Sequence, residues 1–180
     1  MFTTDALTVP NSALVNGNAG KAYVDLSEME GNKQMEAELL KKAEFHLKRS
    51  VEIHPKYVNG YLNLGVVYFK LKDYKKTEEY WNVAKTIFPN NPILKRNFQV
   101  LSATYFGEAM AVGAKDITKA IAGLEKACEL DPSNAEYWYN LGGASFTAKE
   151  YEKAKNAWTK TLQLNPSYAQ AQQGLLAIPK

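Results

Sequence analysis

The chain has 180 residues, 46% hydrophobic and 23% charged, enough apolar side chain for one packed domain or a short array and too much for global disorder. Its 22 basic and 19 acidic residues leave a net charge of +3, too balanced for a nucleic-acid-binding face. One cysteine, Cys128, excludes an intrachain disulfide and a CxxC framework, and His46 and His54 have no carboxylate or thiol cluster to complete a metal set.

Met1–Asp5 lacks the basic and apolar regions of a secretory signal and reads as a start cut into something longer. A leading helix remnant is expected over residues 2–7. After it, four prolines close apolar runs with alternating charge: Pro55, Pro89, Pro132 and Pro166, spaced 34, 43 and 34 apart, with Pro10 another 45 upstream. Aligned on them, Tyr61-Leu-Asn-Leu64-Gly65-Val-Val-Tyr68 stands above Trp138-Tyr-Asn-Leu141-Gly142-Gly-Ala-Ser145. Asn16-Gly-Asn-Ala19-Gly20-Lys-Ala-Tyr23 is a weaker copy, and Lys95-Arg-Asn-Phe98-Gln99-Val-Leu-Ser102 the weakest. Downstream, Ala43/Leu47, Thr77/Trp81, Ala120/Leu124 and Ala154/Trp158 hold constant offsets to the closing prolines. Apolar residues recur at helical spacing, as in Tyr61, Leu64 and Tyr68. Each unit therefore predicts a helical hairpin of helix A and helix B. Gly65 and Gly142 allow close approach of the partner helix backbone, and proline prevents helix B from continuing.

In chain order the pattern predicts helices over 12–29, 33–53, 58–71, 74–87, 92–111, 117–130, 135–148 and 151–164, then a closing helix over 168–177 whose Gln170, Gln172 and Gln173 give a polar outer face. The two long intervals add 11 and 9 residues at the A–B turns of the first and third units. Shared between both helices, these lengthen each by about one and a half turns at 3.6 residues per turn; an ordered loop is the alternative.

The combined pattern W-x2-L-G-x2-Y, A-x3-F, P resembles the tetratricopeptide repeat over nearly the whole length. The resemblance implies an all-α, right-handed α-solenoid: one array over 1–180, with a truncated leading helix (1–10), a long repeat 1 (11–55), repeat 2 (56–89), a long repeat 3 (90–132), repeat 4 (133–166) and a closing helix (167–180). It also implies a non-catalytic protein–protein interaction module that binds an extended peptide or partner helix in its concave groove. A narrower likeness rests on Phe2-Thr-Thr-Asp5, Pro10-Asn-Ser12-Ala13 and Asn18-Ala-Gly20. These are similar to the start of the soluble repeat region of multi-spanning O-mannosyltransferases, and imply a catalytic part upstream.

One column carries the functional expectation. Asn18, Asn63, Asn97 and Asn140 stand two residues before each helix-A glycine position, and repeat 3 keeps its asparagine after losing its neighbours. The family resemblance places this column on the groove, like the asparagine ladder of arrays that hold extended polypeptide. A carboxamide offers a donor and an acceptor, which suits a peptide unit; local solvation of the helix is the plainer reading. Phe69 and Phe146, six residues on, and Tyr139 and Arg96, just before the column, are expected to supply anchors beside it. The plainer reading of the two phenylalanines is packing on the next helix. Lys21 and Arg96 are the basic candidates for clamping a peptide carboxylate, an incomplete set. Gly17-Asn-Ala-Gly20-Lys21 fails the phosphate-loop spacing. Trp81, Trp138 and Trp158 read as packing residues and Cys128 as a structural thiol. No catalytic, metal or cofactor set emerges, and no run approaches the ~18 consecutive apolar residues of a membrane span. The expected partner is a protein or peptide, not nucleic acid. The competing class is a scaffold that self-associates through its convex face or long hairpins. The sequence is equally compatible with a cytoplasmic or a periplasmic setting.

Overall fold

The computed structural model describes residues 11–29, 34–113 and 115–179; the leading segment expected over 2–7 lies outside them. The described residues form nine helices: α1 Ala13–Glu28, α2 Glu36–Ile53, α3 Val58–Lys70, α4 Tyr74–Ile87, α5 Pro92–Val112, α6 Ile117–Leu130, α7 Ala135–Thr147, α8 Tyr151–Leu164 and α9 Ala169–Ala177. The proline period sets their ends. His54, Phe88, Asp131 and Asn165 are the C-cap residues of α2, α4, α6 and α8, each immediately before a proline. Starts are fixed by short polar side chains: Ser12, Asp73, Asp116 and Asn134 accept backbone N–H groups of Val15, Lys76, Lys119 and Glu136 at 3.0–3.2 Å.

The chain divides into two compact units, Met1–Lys95 and Arg96–Lys180. In the first, α1 pairs with α2 and α3 with α4, while α2 also packs on α3. Val24, Leu40, Ala43, Leu47, Leu64, Val67 and Tyr68 make its core. Removing one such leucine costs about 2–5 kcal/mol through lost transfer energy and the cavity left behind. On the outer side Tyr68 donates its hydroxyl to Glu44 at 2.6 Å and stacks on Tyr80 at 5.3 Å. Burial, and then that carboxylate, push the Tyr68 phenol up to about 12.

In the second unit α7 pairs with α8, α6 packs on α7, and α9 closes against α8. Ile121, Leu124, Ala127, Tyr137, Leu141 and Ala157 form one cluster; Ala154, Trp158 and Ala171 form another. Gln170, Gln172 and Gln173 on α9 are exposed, and so is Leu176 at 87%, which makes the outer face of this helix less polar than expected.

Two expectations require correction. Repeat 1 does share its extra length, since α1 and α2 run to 16 and 18 residues against 13 and 14 in α3 and α4. Repeat 3 does not: α5 takes it all with 21 residues while α6 stays at 14. The Asp116 cap fixes the start of α6 where Asp73 fixes that of α4, so inserted residues extend only the preceding helix. Second, Gly65 and Gly142 admit a side chain and not a backbone. A Cβ on either would overlap the indole of Trp81 or Trp158, whereas one on Gly20 would meet Leu47 and the Ala43 carbonyl, the latter at 3.1 Å. Trp81 and Trp158 are buried, with indole N–H groups donated to the carbonyls of Leu62 (3.0 Å) and Tyr139 (3.2 Å). Trp138 is only half-buried, and donates to the Pro132 carbonyl at 3.0 Å.

Candidate functional site

The asparagine column occupies one helical register, five residues into α1, α3, α5 and α7. Asn18 is exposed, and Asn63, Asn97 and Asn140 are partly exposed. The side-chain amides of Asn18, Asn63 and Asn97 make no hydrogen bond among the described residues. Asn140 donates one N–H to the Glu136 carbonyl at 2.8 Å, the preceding turn of its own helix. Its oxygen and second N–H have no partner among the described residues, which leaves a donor and an acceptor for a ligand.

Asn140 and Tyr139 line a cleft of about 360 Å3 in the second unit, between α5, α6 and α7. Opposite them stand Ala109, Met110, Ile117 and Leu124, with Gly143 and Thr147 continuing the α7 side. The wall contributed by Ala109 and Met110 belongs to the eight residues by which α5 outruns α3. A Cβ at Gly143 would meet nothing within 4 Å, so that glycine keeps the cleft open without serving helix packing. The site is an apolar slot with one carboxamide at its edge, in the lower part of the ~300–1,000 Å3 range of ligand pockets.

Of the other expected residues, Tyr139 is on this cleft and the rest lie elsewhere. Arg96 is exposed near the start of α5; it and Asn97 are about 20 Å along the helix axis from Met110 at 1.5 Å per residue. Phe69 and Phe146 are partly buried and pack within their own hairpins, Phe69 on Tyr74 (5.8 Å) and Trp81 (6.3 Å), Phe146 on Tyr151 (5.6 Å) and Trp158 (5.7 Å). The Tyr139 ring also packs at a tilt on Tyr168, centroids 4.9 Å apart. Lys21 is paired with Asp25 at 2.6 Å. Sequence reasoning missed Met110, Gly143 and Thr147; the length anomaly near residues 107–115 was a signal for Met110 alone.

Among the described residues no group of three or more histidine, cysteine or carboxylate side chains could hold a metal, and no helix is long and apolar enough to cross a membrane. The Cys128 thiol is buried, and burial together with Glu125 pushes it up to about 12, so it stays protonated. His46 is held below the usual imidazole range by burial, stacked on Tyr23 at 5.7 Å with Nδ1 3.1 Å from Asn16 Oδ1.

Paired antiparallel helices closed by a proline, with an indole seated on a helix-A glycine, define a helical-repeat protein. Residues 58–91 and 135–168 match the tetratricopeptide repeat family, and residues 114–147 match its TPR repeat model. The chain belongs to the tetratricopeptide repeat family, whose members commonly mediate protein–protein interaction and are generally not catalytic. It is 27% identical over 138 residues to anaphase-promoting complex subunit 3 of Schizosaccharomyces pombe, covering 62% of this chain and 21% of that protein. It is 28% identical over 163 residues to human protein O-mannosyl-transferase TMTC3, covering 88% of this chain and 17% of that protein. The chain thus spans about a fifth or less of the length of these relatives. A solved MamA double mutant aligns with a TM-score of 0.48 at 20% identity, covering 92% of this chain and 82% of that one.

Proposed function

We propose that the chain is a non-catalytic recognition module that holds an extended peptide against its helix-A surfaces. The observation that carries this reading is the α5–α6–α7 cleft, where an apolar slot adjoins the unpaired amide atoms of Asn140. The slot takes a side chain of the ligand while Asn140 pairs with its backbone. Asn97 in the same unit repeats the amide contact, and Asn18 and Asn63 offer an equivalent one within the other unit. Backbone pairing makes recognition tolerant of peptide sequence.

The test is a peptide-display selection on the wild type, on Asn63→Ala/Asn97→Ala/Asn140→Ala, and on Gly143→Leu, with folding checked by circular dichroism. Peptides enriched on the wild type should bind the triple variant at least tenfold more weakly, and Gly143→Leu should lose those with a large apolar residue. Equal binding to all three folded proteins refutes the reading. Tight self-association by light scattering, with no enriched peptide, supports the scaffold reading instead. Similarity to TMTC3 over 88% of the chain favours a setting as the repeat region of a larger transferase-like protein that presents acceptor polypeptides.

A further inference from the structure

The helices α3 and α4 recur as α7 and α8 with identical lengths at an offset of 77 residues, the offset that separates Gly65 from Gly142 and Trp81 from Trp158. This register compares the outer faces of the two hairpins residue by residue. In the first, the Tyr68 and Tyr80 rings stack at 5.3 Å and 8°, and the Lys76 ammonium lies 4.8 Å from the Tyr68 ring centroid. In the second, Ser145 stands at the Tyr68 position and Ala157 at the Tyr80 position, while Lys153 keeps the place of Lys76. Both rings are gone and the lysine remains.

A pocket of about 310 Å3 lies where the second ring would be, lined by Cys128, Trp138, Leu141 and Ala157, with Glu125 and Lys153 also on its wall. Apart from its charged edge it is apolar, and the protonated Cys128 thiol makes it chemically inert. The Lys153 ammonium is held in place by Glu125 at 2.7 Å and Glu150 at 2.8 Å, as Asp73 holds Lys76 at 3.2 Å. Ser145 is fully buried, and its hydroxyl has no hydrogen-bond partner among the described residues. The pocket shares no lining residue with the Asn140 cleft and does not depend on that reading.

We infer that this pocket is a docking site for a tyrosine side chain of a partner protein, which places in trans an aromatic ring where the first hairpin has Tyr80 and the second has only Ala157. The ring enters over Ala157 against Trp138 and Leu141. The Lys153 ammonium, already oriented, lies against its electron-rich face. The phenolic hydroxyl donates to Glu125 or Glu129, the carboxylates on the pocket wall. An aliphatic side chain would cover the ammonium and return nothing for its lost hydration. A phosphotyrosine would bring its dianion against Glu125, Glu129 and Glu150.

The experiment titrates the protein with N-acetyl-tyrosinamide, N-acetyl-leucinamide and N-acetyl-phosphotyrosinamide, followed by 1H–15N NMR at the Trp138 indole N–H and the amides of Cys128, Leu141 and Ala157. The tyrosine probe should give saturable shifts at these positions, and the other two should bind at least fivefold more weakly. Ala157→Tyr, which fills the pocket from within, should abolish the shifts while circular dichroism stays unchanged. Lys153→Gln, which removes the ammonium and leaves the apolar walls intact, should weaken the tyrosine probe about threefold and decides the matter if Ala157→Tyr does not fold. Absence of saturable shifts, equal binding of the leucine or phosphotyrosine probe, or unaltered binding by either folded variant overturns the inference.

Discussion

Gly142 and Gly143 are neighbours on α7, and alanine should have opposite effects at the two. At Gly142 the new methyl overlaps the Trp158 indole, with Cε2 at 2.8 Å and the pyrrole edge nearer still. Trp158 is 5% exposed, so the ring can yield only by pushing into Ala154 and Ala171 or by giving up its 3.2 Å bond to the Tyr139 carbonyl. Overpacking of this kind costs about 1–3 kcal/mol, and a buried donor left unpaired about 1–3 kcal/mol. Replacing a mid-helix glycine by alanine returns about 1 kcal/mol. Whichever route the ring takes, the balance is a loss of about 1 kcal/mol, or roughly 2–4 °C in Tm for a chain of this size. Gly143→Ala keeps only the helix term, because its Cβ meets nothing within 4 Å, and should gain about 1 kcal/mol, roughly 2–4 °C. Urea unfolding and thermal melts followed by circular dichroism at 222 nm measure both. Shifts of the same sign in the two variants would refute the close-approach account of the glycine.

Lys149, at φ 62°, is a non-glycine residue in the left-handed region, at the turn between α7 and α8; Lys149→Gly should raise stability by about 1 kcal/mol by urea titration. For His46 the folded imidazole binds its proton less readily than the unfolded one, so the unfolded state gains protons first as pH falls. Stability should therefore drop below about pH 6.5, and His46→Gln, which retains a partner for Asn16, should flatten the fall in Tm between pH 7.5 and 5.5. Cys128 should resist a thiol-specific reagent at pH 8 until denaturant opens the helices, as its burial and raised pKa require; rapid labelling of the native protein would contradict its placement.

Helix ends were legible because their determinants are local: a proline after the C-cap of each helix B and an Asp, Asn or Ser at most starts. Relations across helices were less so. Spacing alone marked Gly65 as a close-contact position, but only the packed structure shows that an indole occupies the space. The lengthening of repeat 3 was visible as a count of residues, whereas its direction depended on the Asp116 cap, which holds α6 at standard length. In repeat 1 Met35 offers α2 no side-chain cap, and that helix starts four residues earlier than the others. The asparagine column was readable from register. The slot beside Asn140 was not, because Ala109, Met110 and Gly143 are unremarkable residues whose meaning comes from where the longer helix carries them.

That longer helix suggests how such a surface is acquired. An insertion at the end of α5 leaves the closing prolines, the Asp116 cap and the indole-on-glycine contacts of the second and fourth hairpins in place, so it adds a wall without disturbing the framework that makes the protein fold. A change in length is therefore a separate route to new specificity, one that proceeds a turn at a time and is reversible by deletion. Removing the nine residues 105–113 should restore a repeat of ordinary length. A family of proteins built on this plan can vary what it holds by where its helices stop, with the packing residues left unchanged.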